Sequence, residues 1–216
     1  MLADACCEIC GSHKWTALAD HTYQRLDIER TRGYAQTRLR LLFDLWTQGD
    51  DFRIRSVLCD NCGFVIYLPR PEEADLDAKY RYLSARGTGP GTHLAADDSI
   101  EAARSEHIWK YISQKIDLAR ESKILDYGGM DGRLMRAFAK RGKNCLVIDY
   151  CVEVASGVTR LGKTLSDIPA NSTFDLIVCS HVIEHVARPK EKLEQLFRHL
   201  SDQGFLFVEV PMEIWK

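Results

Sequence analysis

Residues 123–150, KILDYGGMDGRLMRAFAKRGKNCLVIDY, constrain the fold more than any other stretch, because they read as strand, glycine turn, helix and strand ending in an acid. Ile124 and Leu125 give a short apolar strand that closes at Asp126. Gly128, Gly129 and Gly132 then let the backbone turn sharply and approach a ligand closely. Leu134, Met135, Phe138 and Ala139 follow at helical spacing, so the free N–H groups of a helix N-terminus point to the same place. A second apolar run, 145–148, ends at Asp149 with Tyr150 beside it, and a carboxylate there can accept from both hydroxyls of a ribose. The expectation is an α/β unit that binds a sugar-bearing cofactor.

The spacing narrows the choice of cofactor. A pyrophosphate needs the G-x-G-x-x-G turn and a positive helix end, whereas this turn runs Gly128, Gly129, Met130, Asp131, Gly132. Carboxylates at Asp126 and Asp131 repel a pyrophosphate but suit a ligand bearing an ammonium group, such as S-adenosylmethionine (SAM). Downstream, 174–180 (FDLIVCS) is a further strand, followed by His181, Val182, Ile183, Glu184 and His185, a helix over 190–200, and a strand over 204–210 that ends at Pro211.

Asp126-x-Gly128 with Gly132, the acid Asp149, FDLIVCSHVIEHV and GFLFVEVP together resemble the class I SAM-dependent methyltransferases, over roughly residues 100–211. The resemblance implies a Rossmann-like sheet, with Asp126, Gly128, Gly129, Asp131 and Gly132 around the methionine end of SAM. It puts Asp149 and Tyr150 at the ribose, Leu165 or Asp167 near the adenine, and His181 beside the cofactor. Met130 stands where the family usually has a glycine, so its side chain is expected where backbone normally lies against the cofactor. The family also continues past its fifth strand, and an apolar edge over 204–210 invites pairing. The sheet is therefore expected to lack its last strands, and a complementing C-terminal segment or a homodimer to complete it.

Cys7-Glu-Ile-Cys10-Gly11 and Cys59-Asp-Asn-Cys62-Gly63 are two Cys-x-x-Cys-Gly knuckles, each able to put two thiolates on one tetrahedral metal while the glycine permits the tight turn. They predict one structural zinc held by Cys7, Cys10, Cys59 and Cys62, with the chain between them an insertion whose ends meet at the metal. Cys6, His13 and His21 are the substitute ligands. Disulfides fit poorly, since Cys145, Cys151 and Cys179 lie in or beside apolar strands, as thiols of a reducing cytoplasm do. The subgroup resembled often carries such a segment and methylates sugars or small metabolites.

The expected division is a zinc-binding subdomain at 1–68, a linker at 69–98 and the methyltransferase domain at 99–216. In the linker, Tyr80 or Tyr82 is a candidate lid, and GTGPG at 87–91 breaks any helix. Residues 99–118 read as an amphipathic helix with Ile100, Ala103, His107, Ile108, Tyr111, Ile112 and Ile116 in its stripe. With 45% hydrophobic and 28% charged residues, the chain can bury one real core and a small metal-stapled unit. A net charge of -2 argues against a general polyanion binder. Arg25, Arg30, Arg32, Arg38 and Arg40, with Tyr23 and Tyr34, leave a nucleic-acid surface open, but interrupting acids favour a mixed helix surface or a phosphate grip.

His-x-x-Glu-His is also the inverted zinc-protease motif, which requires a helix; directly after an apolar strand it reads instead as a turn, with His181 and His185 as candidate proton acceptors. The sequence thus predicts C- or O-methylation of a small, sugar-like acceptor, without a membrane. A non-catalytic methyltransferase-fold binding module and an RNA methyltransferase are the alternatives.

Overall fold

The computed structural model describes residues 5–85, 98–151 and 153–211. The predicted helix breaker at 87–91 and the end of the chain past Pro211 lie outside the described residues. Packing divides the chain into two units, one of residues 1–82 with 186–190 and 211–216, the other of 83–185 with 191–210.

In the first unit β1 (Trp15–Gln24) and β2 (Asp51–Cys59) form a long antiparallel hairpin, and β3 (Val65–Leu68) pairs with the other side of β2. Trp15 lies opposite Cys59 and Gln24 opposite Asp51, with one irregularity between Ala17 and Ala19. The far end of the hairpin carries α1 (Asp27–Arg30), α2 (Gly33–Leu41) and a π-helical turn at Leu42–Trp46. Ile28, Leu39, Leu42 and Phe43 make a small core there, closed by Tyr23, Trp46, Phe52 and Ile54. Arg25 belongs to this core. Its guanidinium donates to the carbonyls of Phe43, Thr47 and Gly49 and lies 5.2 Å from the centre of the Phe43 ring. Arg32 is likewise occupied by the carbonyls of Glu29 and Thr31. These two arginines serve local structure. The unit continues into α3 (Glu73–Ala85), where the Tyr82 hydroxyl donates to Asp44.

The second unit is a five-stranded parallel sheet in the order β6-β5-β4-β7-β8. Its strands are β4 (Lys123–Tyr127), β5 (Asn144–Ile148), β6 (Val158–Gly162), β7 (Phe174–Ser180) and β8 (Leu200–Glu209). The three inner strands are almost wholly apolar because both faces of a parallel sheet are covered. Ile124, Val147, Leu176 and Val178 join Met135, Phe138, Ile108 and Ile112 in the core. Strand order reverses between β4 and β7, and ligands of open α/β sheets collect at the carboxyl ends of the strands beside that point.

The helix predicted over 99–118 is α4 (Asp98–Ser113), and only part of the predicted stripe is buried. Ser105, Ile108 and Ile112 point inward, while Ile100 and Tyr111 are exposed and Ala103 and His107 face solvent. The reason is polar. The Ser105 hydroxyl donates to the Leu134 carbonyl at 2.6 Å and accepts from the Ala137 amide at 2.9 Å, so a serine replaces the expected apolar contact and satisfies the backbone after the glycine turn. Hydrophobic periodicity does not register that exchange. The segment after the turn is a 3-10 turn at Arg133–Met135 running into the short α5 (Arg136–Ala139), not one long helix. The helix α6 (Pro189–Phe197) precedes β8.

Phe138 is fully buried and meets Trp109 edge-on at 5.1 Å. Phe138→Ala should cost about 3–5 kcal/mol in denaturant unfolding of this unit; a loss under about 1 kcal/mol would mean that the ring does not anchor α5 to α4.

Candidate active site

The site is assembled from the turns that follow β4, β5 and β7. Asp126, the fourth residue of β4, is sealed in the sheet, and its Oδ2 has no hydrogen-bond partner among the described residues. Gly129 closes over it: a Cβ there would sit 2.0 Å from Asp126 Oδ2, so only glycine fits. Gly128 takes the left-handed conformation and donates its amide to the Ile148 carbonyl at 2.8 Å, tying the turn to β5. Burial pushes the Asp126 carboxyl up to about 7, and the nearby charges of Asp149 and Asp131 add to the rise while Arg104 opposes it.

Asp149 faces the same turn. Its Oδ2 accepts from the Met130 amide and its Oδ1 from the Cys151 amide, each at 3.0 Å, so the carboxylate bridges the turns after β4 and β5. Met130 itself is left-handed at φ 54° and 40% exposed. The backbone therefore keeps the conformation that a glycine would favour, with the side chain partly exposed. Tyr150 is exposed beside Asp149.

Two sequence expectations are modified by geometry. The Asp131 carboxylate is already gripped by Arg133, at 2.6–2.9 Å through two guanidinium nitrogens. Burial works against its charge, but Arg133 outweighs burial and holds the carboxyl below its usual range. Asp131 thus neutralises an arginine and is not an open acceptor for an ammonium group. Asp167 is spent on its own turn, where its carboxylate accepts from the Lys163 and Thr164 amides as part of a capping box.

His181 directly follows β7 and is left-handed at φ 56°, with its amide donating to the Glu209 carbonyl at 2.8 Å. Ile183–His185 is a single 3-10 turn, which leaves no helix to carry a zinc-protease motif. Glu184 Oε1 lies 3.5 Å from His181 Nδ1 and 3.9 Å from His185 Nε2. Sequence reading missed the second acid here, Glu209, at the end of β8 with Oε2 at 3.8 Å from His181 Nε2. It also missed Arg104 and Ser180, which bond to Glu209. A charged residue closing an otherwise apolar strand at this sheet edge is the signal that could have found it.

In the other unit the two knuckles meet as predicted. The sulfurs of Cys7, Cys10, Cys59 and Cys62 lie within 4.8 Å of one another, with Cys7–Cys62 at 3.7 Å and Cys10–Cys59 at 3.6 Å. Gly11 and Gly63 are both left-handed, and their amides close each knuckle on the carbonyls of Cys7 and Cys59. A hydrogen bond to Asn61, then the Ser12 backbone, pulls the Cys10 thiol down to about 6. The donor set fits a tetrahedral zinc, which at a Zn–S distance of about 2.3 Å needs sulfurs about 3.8 Å apart. Among the described residues, no helix is long and apolar enough to cross a membrane.

A parallel sheet in this order, with a glycine turn after its first strand and an acid after its second, defines a Rossmann-like cofactor-binding class. A family profile described as a methyltransferase domain matches residues 99–215, more than half of the chain. The chain belongs to that family, the class I SAM-dependent methyltransferases. It is 25% identical over 120 residues to a ubiquinone biosynthesis O-methyltransferase of Rickettsia canadensis, covering 50% of this chain and 51% of that protein. It is 34% identical over 114 residues to the enzyme of the same name from Actinobacillus pleuropneumoniae, covering 45% and 49%. The chain spans about half the length of the curated relatives it matches. Among solved structures, the N-methyltransferase NodS of Bradyrhizobium japonicum, in complex with S-adenosylhomocysteine (SAH), overlaps at a TM-score of 0.46 and 16% identity, over 60% of this chain and 71% of that one.

The folded protein keeps a proton on Asp126 up to about pH 7, whereas an ordinary Asp carboxyl, as in the unfolded chain, loses it near 3.8. Between those values the folded state binds more protons, so stability falls as pH rises. Wild-type protein should lose about 2–3 kcal/mol more than Asp126→Asn between about pH 5 and about pH 8 in denaturant titrations. Equal slopes would mean that Asp126 is charged throughout.

Proposed function

We propose that the chain binds SAM at the carboxyl ends of β4 and β5 and transfers its methyl group to a small, sugar-like acceptor at oxygen or carbon. The observation that carries this reading is the buried Asp126 oxygen without a partner beneath the Gly128–Gly129 turn. A buried acid in such a place, neutral up to about pH 7, gains its charge where a cation comes to it, and so fits a cationic ligand and not a pyrophosphate. In this reading Asp126 faces the ammonium end, and Gly128, Gly129 and Gly132 allow the backbone close approach. Asp149 holds the ribose hydroxyls with Tyr150 alongside, and Asp131 shapes the turn through Arg133. When bound, SAM supplies a methyl group already activated by its sulfonium. What the protein must add is alignment of the acceptor, exclusion of water and, for an oxygen or carbon acceptor, removal of a proton by His181 or His185.

The small-molecule acceptor is supported by the names of the curated relatives, and the sugar-like class by the resemblance of the knuckle pair to sugar-methylating enzymes. The local use of Arg25 and Arg32 weighs against an RNA substrate. β8 borders the described sheet with Phe205 and Val208 exposed, which supports a further strand, from another segment or a second copy, covering it. Free thiols at all eight cysteines are consistent with a cytoplasmic protein.

Calorimetric titration with SAH tests the cofactor site: wild-type protein should bind, and Asp149→Ala should bind about 1–3 kcal/mol more weakly. Equal affinity would remove Asp149 from the ribose. The four-thiolate cluster predicts about one zinc per chain by elemental analysis, lost in Cys59→Ser together with much of the first unit's structure. A metal-free protein that melts like the zinc-loaded one would leave the cluster without a structural role.

A further inference from the structure

His181 is held in a left-handed backbone conformation that disfavours a non-glycine residue, and such outliers persist where the surrounding structure fixes them. Here Glu209 does so twice, accepting the His181 amide at its carbonyl and placing its carboxylate 3.8 Å from the ring's Nε2. The carboxylate is itself clamped. Arg104 donates to it at 2.8 Å and to Ser180 Oγ at 2.6 Å, and the Ser180 hydroxyl donates to the same Glu209 oxygen. Burial works against the charge of Glu209, but Ser180 and Arg104 outweigh it and keep the carboxyl below its usual range. The other acid near the ring, Glu184, is divided between His181 and His185. Of the two acids near the ring among the described residues, Glu209 is the one that combines a fixed position, a close arginine and contact with both backbone and ring of His181.

We propose that Glu209, fixed by Arg104 and Ser180, is a positioning residue that aims the His181 imidazole and stabilises the imidazolium formed when His181 takes a proton from an acceptor hydroxyl. This rests on the reading of His181 as the proton acceptor. In that step the hydroxyl proton passes to the imidazole and an oxygen lone pair forms the bond to the methyl carbon. The carbon–sulfur bonding pair returns to sulfur, which departs as a neutral thioether. The charge shift at His181 is the one that a fixed neighbouring carboxylate favours. A substrate amine that is already nucleophilic needs no such arrangement, so the cluster favours hydroxyl acceptors.

The test needs no knowledge of the acceptor. Diethyl pyrocarbonate modifies neutral imidazole, and peptide mass spectrometry of the full chain reads the rate at His181 against pH. The charged and titratable groups around the ring are Glu209 of β8, Glu184 and His185 of the next turn, and Arg104 of α4. Glu209→Gln keeps the shape and the acceptor oxygen but removes the charge, so the midpoint at His181 should move down by roughly 0.5–1 pH unit, the water-like limit for a unit charge at that separation. Arg104→Met removes the opposing cation and should move the midpoint up. Opposite shifts support the proposal, and the second variant stands if the first fails to fold. Profiles superimposed on wild type, or a rate changed by one factor at every pH, would overturn it, because loosening alone does not move a midpoint. SAH at saturating concentration should slow the reaction at His181. If SAH binds by calorimetry yet leaves that rate unchanged, the proton-acceptor reading fails, while the two shifts still report whether Glu209 acts on the ring.

Discussion

A carboxylate at the centre of a parallel sheet has no water to solvate it, and the arrangement of the surrounding turns follows from that cost. Asp126 can be buried only because Gly129 brings bare backbone over it. The same turn leaves room at Gly128 for Val182, which would lie 2.6 Å from a Cβ there, so the turn after β4 and the turn carrying His181 fit each other directly. Ser105 then fixes the backbone at Leu134 and Ala137, just beyond the glycines. A change at any of these positions is felt at the others, since close-packed interiors relax little.

Charge is distributed around the site with one recurring pattern. Asp131 and Glu209 each pair with an arginine, Arg133 and Arg104. Asp126 has no partner for its second oxygen, and Asp149 is satisfied by backbone amides that carry no net charge. The paired acids are structural charges, whereas Asp126, protonated up to about pH 7, gains its charge most readily when a cation lies beside it.

The strand–turn–strand core around Asp126 was legible because two strong local signals, apolar runs and glycine spacing, coincide within 28 residues of sequence. The thiol cluster was legible for a similar reason: each knuckle is a local motif, and only the meeting of the two required inference. What could not be read were contacts made by polar residues far apart in sequence. Ser105 looks like any helix serine until its hydroxyl is seen bridging two backbone groups, and the buried face of α4 takes it in beside Ile108 and Ile112 of the expected stripe. Glu209 and Arg104 are separated by 105 positions and meet only through the sheet. Asp131 and Asp167 were read from their places in the glycine turn and after the third strand, and their own neighbouring backbone and side chains had first claim on them.

The knuckles of the first unit have a consequence for the length of the chain between them. The two cysteine pairs close the base of a hairpin whose far end carries its own small apolar core around Phe43. Once the base is fixed, lengthening a flexible loop adds little entropy, about 0.6 kcal/mol for each doubling. The hairpin tip is therefore a place where additional sequence, natural or engineered, can be carried without disturbing the thiol cluster at its foot.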